Sequence, residues 1–168
     1  MKKICITFAW VMWCWKTPIA NYISTKLCLP TFNTDAIRSE VSEDFLKYDE
    51  VEAQKRIKKR LQSVIKGWKS FIYDASVDRK RPILKEVLRE NWYKSFIISI
   101  DLDKETLLNF YKAKSYYETQ MIDRMYEEHQ NFLKGFSEDV NIHINENNYD
   151  ERLELVYKAV SQRMKDVE

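Results

Sequence analysis

Glycine is nearly missing from this chain. Its 168 residues include two, Gly67 and Gly135, where average usage of about 7% would give roughly twelve. As written, that shortage excludes glycine-rich loops, since few other residues enter left-handed backbone without strain. An excess of one charge is also lacking: 28 basic and 26 acidic residues leave a net charge of +2, too little to announce a nucleic-acid partner. No apolar run reaches the roughly 20 residues that span a bilayer, and there is no repeat, linker or low-complexity segment. The three cysteines, Cys5, Cys14 and Cys28, are odd in number and lack metal-ligand spacing, so reduced thiols in a cytoplasm are expected. His129 and His143 have no cysteine or carboxylate arrangement pointing to a metal or a nucleophile's partner. What is present is 45% hydrophobic and 32% charged residues, the composition of an ordinary soluble protein, expected as one domain over residues 1–168 and a monomer or weak dimer.

MKKICITFAWVMWCW has the charge and apolarity of a secretory signal, but no small-residue cleavage site follows. Instead Lys16 and Thr17 lead into an amphipathic stretch, Pro18–Leu27, with Pro18 tolerated in a first helical turn. A buried strand, a loop and a helix are expected. Further short apolar runs lie at Lys69–Tyr73, Lys94–Ile100 and Val140–Ile144. Helical periodicity covers Asp35–Val41, Asp44–Lys66, Arg79–Glu90, Lys104–Lys114, Tyr116–Lys134 and Asp150–Lys165. Such alternation predicts an α/β three-layer sandwich around a central, mostly parallel five-stranded sheet.

The turn after the first strand raises the main question. Trp10, Val11, Met12, Trp13, Cys14, Trp15, Lys16 and Thr17 have the frame of a P-loop (Walker A), G-x-x-x-x-G-K-[ST], between a strand and a helix. In that motif glycines let backbone N–H groups close on phosphate oxygens, where a side chain would block the approach. The lysine neutralises the β and γ phosphates, the hydroxyl holds Mg²⁺, and the helix adds its positive end. Only the glycines are missing here, and with tryptophan in their place the loop cannot cradle phosphate.

The remaining tryptophans repeat the oddity. Trp68 follows Gly67 at the entry to KSFIYD, and Trp92 lies between a helix end and the strand of ENWYKSFIISID, where a glycine C-cap is favoured. All five tryptophans thus stand at positions suited to glycine. One cause accounts for them together: some bacterial lineages read UGA as glycine, and translating such a gene with the better-known reassignment of UGA prints tryptophan. Restoration brings glycine to seven. The alternative is genuine tryptophan, packed as core or surface in a protein that binds no nucleotide.

With that loop restored, KKICITFAWVMWCWKT, NTDAIR, FIYDASVDRKR and the Asn91-Trp92-Tyr93 turn resemble the small P-loop kinases of the polynucleotide-kinase and zeta-toxin-like group. The resemblance covers roughly residues 1–115. It implies ATP and Mg²⁺ as cofactors and a phosphotransferase acting on a hydroxyl. It makes Asp35 the general base and Arg38 the acceptor-binding residue of a D-x-x-R motif. Read alone, Thr34 or Asp35 could equally cap the helix, with Arg38 a solvated charge. Asp74 matches a Walker-B-like strand end, joining Thr17 as a metal-holding residue; its bland reading is a turn-forming Asp. Arg81 falls where the group often has an arginine.

The lid, at about 110–125, departs from the group's pattern, offering Lys112, Lys114 and Arg124 where arginines usually clamp phosphates. Lysine supplies charge without the bidentate fork, and a charged helix face is an equal reading. A basic run, Lys55, Arg56, Lys58, Lys59 and Arg60, has the charge to track a polynucleotide backbone, although such runs are more often solvated faces. The expectation is therefore a kinase with Lys16, Asp35 and Arg38 in catalysis. Its alternatives are an inactive relic that binds nucleotide or a partner, and a zeta-toxin-like nucleotide-sugar kinase. No membrane partner is expected.

Overall fold

The computed structural model describes residues 3–10, 16–78, 81–115 and 120–166. The apolar run near the start forms β1 (Lys3–Trp10), followed by α1 (Lys16–Leu27), β2 (Thr31–Asn33), α2 (Thr34–Phe45) and α3 (Glu50–Lys66). β3 (Phe71–Ser76), α4 (Arg81–Glu90), β4 (Tyr93–Ile100), α5 (Lys104–Ala113) and α6 (Gln120–Phe136) come next. A short 3₁₀ turn over Ser137–Asp139, β5 (Val140–Ile144) and α7 (Arg152–Lys165) complete the order.

Five strands pair in the order β2-β3-β1-β4-β5, and every pairing is parallel. The sheet is thus wholly rather than mostly parallel. β1 is buried on both faces, and its alternation sorts two cores. Ile4, Ile6, Phe8 and Trp10 pack with Ile19, Ala20 and Ile23 of α1 and Val156 and Val160 of α7. Cys5 and Ala9 face the other layer, with Ile57 and Ile65 of α3, Leu84 and Leu88 of α4 and Phe132 of α6.

Two differences from expectation stand out. The helix expected from Asp44 begins at Glu50, because Leu46 turns left-handed (φ 52°) after α2 and Asp49 caps α3 by accepting from Glu52 N at 3.0 Å. β3 extends past Tyr73 to Ser76, so Asp74 lies inside the strand rather than at its end. Residues 79–80 and 116–119, assigned to helices by periodicity, lie outside the described residues.

Trp68 and Trp92 follow the ends of α3 and α4 with φ of 54° and 61°. Their N–H groups donate to Ile65 O and Arg89 O at 3.1 and 3.2 Å, the return hydrogen bond of a left-handed helix cap. Gly67, by contrast, has φ −65°, and Gly135 lies within α6. The left-handed positions at these two helix ends hold tryptophan, while both glycines occupy right-handed backbone.

Candidate active site

In an open parallel sheet, ligands bind outside the carboxyl ends of the strands, where neighbouring connections diverge. Here that point is the end of β1, which lies between β3 and β4. Trp10 ends the strand there, and Lys16 opens α1. Val11, Met12, Trp13, Cys14 and Trp15 lie outside the described residues. The first turn of α1 has no acidic side chain of its own, as suits a helix start that receives an anion.

Lys16 and Asp74 come together from different elements. The Lys16 ammonium makes a short contact with the Asp74 carboxylate and lies 3.5 Å from the Asp74 carbonyl oxygen. Their side chains are 12% and 3% exposed, so the pair is shielded from water. The same ammonium stands 4.9 Å from the centre of the Trp10 ring, within cation–π range. Trp10 is buried and meets Phe8 edge-on at 6.2 Å. Thr17, next in the helix, is exposed.

Asp74 pairs in register with Asn33, placing the start of α2 beside it. Asn33 caps α2, accepting from Asp35 N at 2.8 Å and Ala36 N at 3.1 Å. Neither Thr34 nor Asp35 is the cap, and the Asp35 carboxylate, 71% exposed, meets Arg38 at 3.2 Å. Arg38 also donates to Tyr48 Oη at 3.3 Å and to Thr34 Oγ1 at 3.4 Å. Partial burial works against its charge, but the Tyr48 hydrogen bond and the charges of Asp35 and Glu50 raise its pKa overall.

The other assignments are more dispersed. Lys112 is exposed in the last turn of α5, and Lys114 caps that helix. Arg124 is 73% exposed and pairs with Glu128 at 3.0 Å, a local pair within α6. Arg81 turns inward to Ser95 Oγ and Asp139, at 3.1 and 3.3 Å. The basic run on α3 is largely neutralised: Arg56 meets Glu40, Asp44 and Glu52, Arg60 meets Glu40, and Lys55 meets Glu52. It makes no unbroken positive stripe. Among the described residues no group of three His, Cys, Asp or Glu side chains could hold a metal, and no helix is long and apolar enough to cross a membrane.

His129, given no carboxylate arrangement and no role from the sequence, is 1% exposed and held between two carboxylates. The signal was present: it is the polar member of an apolar stripe, Ile122, Met125, Phe132 and Phe136, along α6.

No sequence family and no curated protein matches the chain. Solved structures do. A protein from Chloroflexus aurantiacus j-10-fl, itself proposed to be a kinase, shares 14% identity at a TM-score of 0.70, over 99% of this chain and 98% of that one. Shikimate kinase from Aquifex aeolicus shares 13% identity at 0.60, over 95% and 98%. Dephospho-CoA kinase from Campylobacter jejuni shares 14% at 0.59, over the whole of both chains. The chain has the fold of the P-loop kinases. At such identities the likeness describes the fold and leaves activity to the residues themselves.

Proposed function

We propose that this chain is an ATP-dependent P-loop kinase, a single domain with a lid at about 110–125, that moves a γ-phosphate to a hydroxyl. The observation that carries the reading is the convergence of Lys16 and Asp74 at the end of β1, at the start of α1, whose first turn has no acidic side chain of its own. A largely shielded lysine at the head of a helix, beside a strand end, is suited to phosphate charge.

The proposed roles follow from placement. Lys16 leaves Asp74 to neutralise charge developing on the transferred group. Asp35 takes the proton of the acceptor hydroxyl as its oxygen bonds to phosphorus and the bond to the leaving diphosphate breaks. Arg38 holds the acceptor, and Lys112, Lys114 and Arg124 add charge from the lid. Thr17 and Asp74 supply hard oxygen donors of the kind that hold Mg²⁺ together with substrate phosphates. When bound, that ion spreads the negative charge of the phosphates.

The reading needs glycine at Trp10, Trp13 and Trp15. The left-handed backbone at Trp68 and Trp92 supports a glycine origin at those two positions, since such conformations are strained for a side chain as large as indole; Trp10 ends a strand and packs in the core. The site works in the cytoplasm as a monomer or weak dimer under this reading. The acceptor is a small molecule, a polynucleotide end or a nucleotide sugar; the pairing of the α3 basic run weighs against a polynucleotide.

A second reading is a relic that binds nucleotide or a partner without catalysis. It is favoured by the Trp10 ring beside Lys16, which would occupy the phosphate side of the lysine if the tryptophans are genuine. A peptide mass map of protein from its native host separates the two. Glycine masses at the five positions support the kinase, and tryptophan masses or UGG codons support the relic. With glycine present, ATP turnover abolished in a folded Lys16→Ala variant supports the mechanism; full activity in that variant would refute it.

A further inference from the structure

Besides Arg81, buried titratable groups outside the phosphate site gather at His129 of α6. His129 lies in the helix's apolar stripe, with its ring stacked on Phe132 at 6.4 Å. Its Nε2 is 2.9 Å from Asp101 Oδ1 and its Nδ1 is 3.3 Å from Asp78 Oδ2. Asp78 follows β3 and Asp101 follows β4, the two strands that flank β1. One side chain therefore bridges the strand end from which the Trp10–Thr17 loop departs.

A neutral imidazole has one N–H and one lone pair, so a carboxylate at each nitrogen leaves one carboxylate facing a lone pair. Two N–H donors, and hence the imidazolium, satisfy both. Burial alone would lower the His129 pKa, but the hydrogen bonds and charges of Asp101 and Asp78 push it up to about 9. Asp101 is fixed in turn by Ser99 Oγ and His143 Nδ1. The second Asp78 oxygen, Oδ1, is buried without a hydrogen-bond partner among the described residues. The titratable groups facing His129 are thus Asp78 and Asp101, with His143 of β5 beyond Asp101. β1, which also touches α6, carries its lysine, Lys3, at the opposite end.

We propose that His129 is a positioning residue that fastens α6, the helix that carries Arg124, across the carboxyl end of β1. His129 lies five positions after Arg124 in α6, about 8 Å along the axis at 1.5 Å per residue. A phosphate-binding role for Arg124 rests on the kinase reading, whereas the fastening stands on the geometry of His129, Asp78 and Asp101.

The test combines an NMR titration of the His129 ring with amide hydrogen exchange of wild type and His129→Gln. The wild-type ring should titrate near the value given above, and α6 amides in the variant should exchange about tenfold faster while β1 and β4 keep their protection. A ring midpoint at or below about 6.5, or equal loosening of helix and sheet, would overturn the proposal. If His129→Gln fails to fold, the wild type raised from pH 7 to pH 10 serves instead: after correction for the intrinsic pH dependence of exchange, α6 should loosen before the sheet, and simultaneous loosening refutes the latch. Turnover with ATP separates the two ideas. A raised KM for ATP with smaller change in kcat in the variant supports the role of Arg124. Absence of turnover in glycine-containing wild type removes the kinase reading and leaves the exchange result to decide the fastening.

Discussion

Lys16 and Asp74, from a helix start and the interior of a strand, form a buried ion pair across the end of β1. Removing one partner of such a pair strands the other charge, whereas replacing both with apolar groups can be nearly neutral. Asp74→Ala should therefore lower the unfolding free energy by about 3 kcal/mol, and Lys16→Met with Asp74→Leu should recover most of it. Urea titration of the two single variants and the double variant measures the coupling. A double variant that loses the sum of the singles would show no energetic link between the residues.

The left-handed tryptophans give a separate expectation. Trp92 is 69% exposed, so its indole recovers little burial energy for the strain of φ 61°. Trp92→Gly should stabilise the protein by about 1 kcal/mol. Trp68→Gly should gain less, because that indole is less exposed and meets Tyr93 edge-on at 6.0 Å. Gly135→Ala is the control: it lies in a helix with nothing within 4 Å of an added Cβ, and should gain roughly 0.5–1 kcal/mol from helix propensity. Thermal or urea denaturation of the three variants checks the order.

Strand and helix alternation made the layered fold legible in the sequence, because β1 and β4 are continuous apolar runs and α3 and α6 are strongly periodic. The break between α2 and α3 was not: Leu46 takes a left-handed turn with no glycine or asparagine to mark it. Lys16, Thr17, Asp35 and Arg38 could be singled out because motif spacing puts them at helix starts. Arg81 could not be placed, since its side chain answers to Ser95 and Asp139, residues distant in sequence. The His129 bridge escaped for the same reason: its carboxylates follow two strands that periodicity cannot bring together.

Acid stability should reflect Asp101. Burial raises its pKa, but the hydrogen bonds from His129, Ser99 and His143 outweigh it and hold the carboxyl below its ordinary range. A depressed folded value contributes stability that is complete above the unfolded value of about 3.9 and is lost as pH falls through the folded one. Asp101→Asn should remove that part of the acid slope, leaving denaturation midpoints in urea less sensitive to pH below the ordinary carboxylate range. An unchanged slope would assign the acid transition to other carboxylates.

Arg81 provides the last expectation, because it separates a structural arginine from a substrate-binding one. Its side chain is buried, yet Nε and Nη1 have no hydrogen-bond partner among the described residues. Asp139 retains Lys85 at 3.1 Å if the guanidinium is removed. Arg81→Met should therefore leave the unfolding free energy within about 1 kcal/mol of wild type, or raise it, since a well-packed apolar side chain often matches a buried charge. Asp139→Ala, which leaves the guanidinium with Ser95, should cost about 3 kcal/mol. If the kinase reading holds, Arg81→Met should also keep the KM for ATP, because Arg81 faces Ser95 and Asp139 rather than the end of β1. A large rise in that KM with stability unchanged would mean that Arg81 leaves its buried partners to meet the nucleotide.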